Sequence, residues 1–349
     1  MSSEQRPILS VRDLKTYFFL DEGTVKAVDG VSLDVYPGQV VGIVGESGCG
    51  KSVTVRSVLR IVEKPGRIVA GKILFRPRKR NGRPLEGSQD GYVDLARLAA
   101  QGREMRAIRG AEIALIPQEP MAAFSPVHTI GDQIMEAILL HQAVNEEEAR
   151  RLGIERLREV GIPNPEQRME AYSWELSGGL RQRAMIAMAL SCHPTLLIAD
   201  EPTTAIDVTT QAQVLNLLRS LQQQRNMSII FITHDLGVIA QIAEYVLVMY
   251  LGRLMETGPV VDIFHHPLHP YTRALLKSIP SVHTRSRAFL PTIEGSIPHP
   301  FNRPPGCPFH PRCPQFTAGI CDQKTPLLQP VNEQQAVSCF LYHRRAEED

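Results

Sequence analysis

The sequence predicts an α/β protein built on a mainly parallel sheet, on three grounds. First, Val40-Val41-Gly42-Ile43-Val44 is a short apolar run of buried-strand type. It leads into Gly45-Glu46-Ser47-Gly48-Cys49-Gly50-Lys51-Ser52, a complete G-x-x-x-x-G-K-[ST] loop, and Lys51 to Glu63 then reads as helix. Second, the strand Thr195 to Asp200 is followed by a helical stripe of Val214, Leu217, Leu218 and Leu221 at i, i+3, i+4, i+7, and then by the strand Ser228 to Thr233. Such alternation argues a parallel sheet with crossover helices. Third, the loop, Asp200 and His234 all fall at the carboxyl ends of strands, where open α/β sheets bind ligands.

The elements follow in chain order. Ile8 to Val35 reads as short strands and turns closing at Pro37-Gly38. The backbone N–H groups of the glycine-rich loop suit a polyphosphate at a helix N-terminus, with Lys51 reaching the β- and γ-phosphates and the Ser52 hydroxyl binding Mg²⁺. Residues 76–92 are polar, basic and turn-rich, and read as a surface loop or hairpin. Residues 130–190 read as mostly helical. Asn145 caps one helix with Glu148 three residues on, its apolar face is Ala149, Leu152, Leu157 and Val160, and Gly161 with Pro163 ends it. After about Pro259 the proportion of Pro, His and Arg rises and periodicity fades.

Composition bounds the function. A chain of 349 residues suggests two domains, or one with an appendage. A formal charge of +1 gives no broad electrostatic drive toward nucleic acid or anionic lipid. No 18 apolar residues run consecutively, and Met1 to Pro7 lacks the apolar core of a secretory signal, so a cytosolic protein that meets membranes only through partners is expected. Of six cysteines, Cys307, Cys313, Cys321 and Cys339 cluster near the end of the chain, which points to metal binding more than to disulfides.

Four further segments accompany the loop. Gln118, in Leu115-Ile116-Pro117-Gln118-Glu119-Pro120, follows an apolar strand, and Leu176-Ser177-Gly178-Gly179 opens a helix. Leu196-Leu197-Ile198-Ala199-Asp200-Glu201 ends a strand in two adjacent carboxylates, and Thr233-His234-Asp235 ends the next. In order these resemble the Walker A, Q-loop, signature, Walker B, D-loop (Thr204 to Asp207) and switch-histidine motifs of ATP-binding cassette (ABC) transporter ATPase subunits, over about residues 8–260. The resemblance implies a P-loop ABC ATPase: a RecA-like core, an antiparallel β subdomain and a helical signature subdomain at about 119–190, within a nucleotide-binding domain at 7–260. It implies ATP and Mg²⁺ as cofactors. Gly45, Glu46, Ser47, Gly48, Cys49, Gly50, Lys51, Ser52 and Val53 would line the nucleotide, while Ser52, Gln118 and Asp200 would serve Mg²⁺. Lys51, Gln118, Glu201 and His234 would carry catalysis, with Glu201 accepting the proton of the attacking water. Ser177, Gly178 and Gly179 would face the γ-phosphate held by a second cassette, and Asp207 would couple the two sites. Phe18 would stack on adenine, with Tyr17 as its rival.

The second half resembles the C-terminal extension of oligopeptide/dipeptide importer ATPases, through His269-Pro270-Tyr271-Thr272-Arg273 and Gly306-Cys307-Pro308-Phe309-His310-Pro311-Arg312-Cys313-Pro314. This implies an extension at 261–349. From the C-x5-C-x7-C-x17-C spacing alone, zinc and iron–sulfur are comparable. The family resemblance favours a [4Fe–4S] cluster on Cys307, Cys313, Cys321 and Cys339. The implied partners are a second ABC ATPase, a paralogue ahead of a second copy, two transmembrane permeases and, through them, an extracytoplasmic solute-binding protein. Nucleic acid is not expected as a partner. The implied place is peripheral, on the cytoplasmic face of the inner membrane. The chain departs from the branch at Ser173-Trp174-Glu175 and at Ala122-Ala123-Phe124-Ser125-Pro126. The rival readings are a soluble cassette ATPase of translation or DNA repair, and an iron–sulfur redox-responsive regulator.

Overall fold

A computed structural model describes residues 6–78, 90–119, 123–204, 206–279 and 293–342. Residues 79–89 of the basic loop, together with Pro120, Ala122 and Ala205, lie outside the described residues. The described residues cluster into two compact units, one built mainly from Leu74–Ile232 and the other from Ser10–Leu33, Val40–Ile73 and the chain from Thr233 onward.

The unit holding Leu74–Ile232 contains a parallel run of strands in which Leu196–Asp200 lies between Ile113–Ile116 and Ser228–Ile232. Leu196–Asp200 and Ser228–Ile232 are buried throughout, as continuous apolar runs in a parallel sheet must be. The helix Val208–Arg225 buries Val214, Leu215, Leu218 and Leu221, so Leu215 takes the fully buried place expected of Leu217, which is half-buried. The helices Ile130–His141, Glu146–Glu159 and Gly178–Ala189 pack on one another as the helical region foreseen at 130–190. Each has a side-chain cap: Thr129 accepts from the Asp132 N–H, Asn145 from Glu148 and Ser177 from Leu180.

The second unit opens with two long strands, Leu9–Leu20 and Gly23–Val35, rather than several short ones. Gly66–Phe75 flanks the first of them. Val40–Val44 pairs in parallel with Tyr245–Tyr250, which pairs antiparallel with Arg253–Pro259. Two short strands of the C-terminal region, Ala336–Val337 and Gln329–Pro330, then extend that edge. The helix after the loop spans only Lys51–Val58, not the run to Glu63 read from the sequence. It stops because Arg60 turns left-handed (φ +56°) while the N–H groups of Arg60 and Ile61 return to the carbonyls of Ser57 (3.1 Å) and Arg56 (2.9 Å). That is a Schellman closure with arginine where glycine is usual.

Candidate functional site

In the second unit the phosphate loop is shaped by its own backbone. A Cβ on Gly45 would fall 2.2 Å from the Met249 carbonyl oxygen, and one on Gly50 2.2 Å from that of Ala27, and both residues have positive φ. No other residue fits either place. Lys51 is buried, and its Nζ donates to the carbonyls of Gly45 (2.8 Å) and Glu46 (3.2 Å), with the Cys49 sulfur 3.9 Å away. Burial pushes the Cys49 thiol up, so this cysteine is a packed apolar group of the loop rather than a thiolate. Ser47 and Gly48 are exposed, and Ser52 and Val53 half-buried. His234 is exposed directly after a strand end, where the Thr233 N–H donates to the Ile43 carbonyl (3.4 Å), and Asp235 caps the helix Leu236–Ile242.

The two candidate adenine-stacking rings differ. Tyr17 donates its hydroxyl to Asp29 (2.8 Å), and the same carboxylate receives Arg253 (2.8 Å) and Arg303 (2.9 Å). Phe18 is half-buried against Gly66, where a Cβ would stand 2.6 Å from its ring.

The other unit carries the remaining motif residues. Asp200 is 3 % exposed at the end of its strand. Glu201 follows in a left-handed conformation (φ +49°), its N–H donating to the Ile232 carbonyl (2.9 Å). Its Oε2 accepts from the Gln118 side-chain amide and from the Thr204 hydroxyl, each at 3.1 Å. Gln118 and Glu201, 83 residues apart, are thus brought together. Gln182 donates to the Pro202 carbonyl (2.6 Å) and tethers the signature helix to the chain just past Glu201. Ser177 and Gly178 are exposed at the start of that helix, Gly179 is half-buried, and Asp207 caps Val208–Arg225 through the Thr210 N–H (2.9 Å). Exposed beside the signature, Trp174 stacks on Tyr172 at 5.6 Å.

In the extension, Cys307, Cys313, Cys321 and Cys339 are all free thiols and line one small pocket with His269 and His310. Burial pushes Cys307 up to about 12 and Cys339 to about 11. Among the described residues no three of His, Cys, Asp or Glu are placed to hold a metal ion. Tyr250, Tyr271 and Phe309 are fully buried against one another.

Sequence reasoning missed two long-range contacts. One is the Asp29 cluster. The other joins Arg312, beside Cys313, to Glu46 inside the phosphate loop (2.7 and 3.1 Å). Both residues stood inside quoted motifs, but no local pattern pairs positions 266 apart.

The chain is similar to known proteins over nearly its whole length. Residues 28–204 match the family model described as ABC transporter, and residues 255–321 the one described as oligopeptide/dipeptide transporter, C-terminal region. The chain is 46% identical to a probable peptide ABC transporter ATP-binding protein, y4tR, of Sinorhizobium fredii, over 95% of this chain and 94% of that protein. It is 45% identical to the dipeptide transport ATP-binding protein DppD of Bacillus subtilis (97% and 96% covered), and 43% to DppD of Escherichia coli (95% and 96%). Among solved structures, the bacterial ABC transporter cassette MJ0796 superposes with a TM-score of 0.60 at 22% identity, over 72% of this chain and 98% of that one. The cbiO1 component of a Clostridium perfringens ABC transporter complex superposes at 0.57 and 25% identity, over 75% and 92%.

Proposed function

This chain belongs to the ABC transporter family, as the ATP-binding and ATP-hydrolysing subunit of a peptide/dipeptide importer, and from that premise we propose the residues that carry its chemistry. The loop Gly45–Val53 wraps the phosphates and Phe18 stacks on adenine, because one face of the Tyr17 ring is already met by the Lys26 amine, 5.7 Å from its centre. Ser52, Asp200 and Gln118 serve Mg²⁺. Lys51 and His234 bond the γ-phosphate, and Glu201 takes the proton of the attacking water as the bond from γ-phosphorus to the ADP oxygen breaks. Phosphoryl transfer needs mainly such positioning and charge stabilisation. Ser177, Gly178, Gly179 and Asp207 complete the site of a second cassette, a paralogue of this chain. The nucleotide-binding domain spans 7–260 and the extension 261–349.

A peptide importer's ATPase works with membrane permeases and a solute-binding protein. Among the described residues no helix is long and apolar enough to cross a membrane. The peripheral place at the cytoplasmic face of the inner membrane is read from the importer-subunit relatives. The transport descriptions of the relatives favour this reading over a translation, repair or regulatory ATPase.

The four cysteines would hold a [4Fe–4S] group. Support comes from the chemistry of the donor set: four free thiols line one pocket, and cysteine thiolates are the ligands that iron–sulfur groups take. When bound, such a group supplies a cross-link and a redox-capable centre. Anaerobically purified protein should be brown, with iron and acid-labile sulfide in equal amounts; zinc without sulfide would refute the assignment.

The observation that carries the ATPase reading is the loop in which Gly45 and Gly50 admit no Cβ around a buried Lys51. Lys51→Ala in the assembled importer should abolish both ATP hydrolysis and ATP-dependent dipeptide uptake. Unchanged uptake would contradict the reading.

A further inference from the structure

A carboxylate inside a polyphosphate-binding loop is electrostatically awkward, and Glu46 is the first residue of the loop after Gly45. The fold answers it with Arg312, whose two terminal nitrogens meet the two Glu46 oxygens at 2.7 and 3.1 Å. The Arg312 side chain is 4% exposed and that of Glu46 20%, so this is a shielded, two-pronged, charge-assisted pair rather than a surface ion pair. The fully buried Tyr271 adds a second hold, its hydroxyl oxygen accepting the Glu46 N–H at 2.9 Å.

Neither arm is loose. Arg312 also donates through Nε to the Glu294 carbonyl (3.1 Å) and through a terminal nitrogen to the Tyr250 hydroxyl (3.3 Å). Tyr271 packs against Tyr250 at 4.7 Å and Phe309 at 5.2 Å between ring centres. The carbonyls that receive Lys51 belong to Gly45 and Glu46, so fixing Glu46 fixes where the lysine amine stands.

We propose that Arg312 and Tyr271 are positioning residues of the nucleotide site, through which the C-terminal extension pre-shapes the phosphate loop and neutralises Glu46. The inference rests on reading that loop as the ATP site. Neither residue is assigned a contact with the nucleotide, so the effect falls on affinity: a loop ordered beforehand loses less freedom on binding, and a neutralised Glu46 does not repel the phosphates.

The test is MgATP binding to the full-length chain by calorimetry, with kcat and KM for the assembled importer. Arg312→Ala should raise Kd and KM about ten-fold and leave kcat at saturating ATP within about two-fold, with Arg312→Lys recovering part of the loss. Tyr271→Phe should raise Kd about three-fold. Adding Glu46→Gln to Arg312→Ala should recover affinity, because the unneutralised carboxylate is then gone; a merely structural role of Arg312 predicts no such rescue. Should Arg312→Ala fail to fold, Arg312→Lys and Tyr271→Phe decide by the same readout. Affinity within two-fold of the parent chain, a loss confined to kcat, or a double variant as weak as Arg312→Ala would overturn the proposal. A parent chain that binds no MgATP would overturn both this inference and the reading beneath it, whereas normal parent binding with unaltered variants overturns this inference alone.

Discussion

Glu201 shows how a single residue is prepared for its task. A left-handed backbone is costly for glutamate and persists only where the surroundings over-determine it, here through the Ile232 carbonyl, Gln118 and Thr204. Glu201→Gln keeps the shape and removes the proposed base. Turnover should fall by about 10²–10⁴-fold with MgATP affinity retained, measured as steady-state hydrolysis beside equilibrium binding. Asp29 answers to structure instead. Burial pushes its carboxyl up, but the Tyr17 hydroxyl, Arg253 and Arg303 outweigh that and hold it below the usual carboxylate range. Asp29→Ala leaves Arg253 and Arg303 without their carboxylate and should lower stability by about 3 kcal/mol in chemical denaturation. His269 sets a pH dependence. Fully buried, it is held down to about 3, so it stays neutral in the folded chain while the unfolded chain takes up a proton near pH 6.5. Stability should therefore fall as pH drops from 6.5 toward 5, with a limiting slope of about 1.4 kcal/mol per unit, and His269→Gln should flatten that slope in melting curves.

At the scale of elements, the motif residues double as helix caps. Ser177 starts the signature helix, Asp207 the helix Val208–Arg225 and Asp235 the helix Leu236–Ile242. One chemistry serves both purposes, since an oxygen that satisfies free N–H groups at a helix start stands where an anion is also welcome. Asn145 caps a helix that carries no motif, which isolates the structural share. Asn145→Ala should cost about 1 kcal/mol in denaturant titrations and leave ATP turnover unchanged. The cap at Asn145 was legible because it depends on residues within three positions of one another. The end of the helix after the phosphate loop was not, because nothing local favours Arg60, rather than a glycine, as the left-handed closing residue.

Across the whole molecule, the proposed place of the signature residues at a neighbour's nucleotide would leave a lone cassette incomplete. ATPase activity should rise faster than linearly with total cassette concentration, and a specific activity constant down to nanomolar protein would contradict that. The order of motifs, the parallel strands and the cysteine cluster were all readable from the chain, because spacing, apolar periodicity and residue chemistry are properties of short segments. Tertiary structure alone decided which distant residues meet: Gln118 with Glu201, Asp29 with Arg303, and Glu46 with Arg312 and Tyr271. It also decided that Ala336–Val337 completes a sheet edge against Arg253–Pro259. The physical reason is the same throughout. A buried charge or an open strand edge must find a partner, but the chain does not encode locally where, among hundreds of residues, that partner lies; only the packed fold brings the two together.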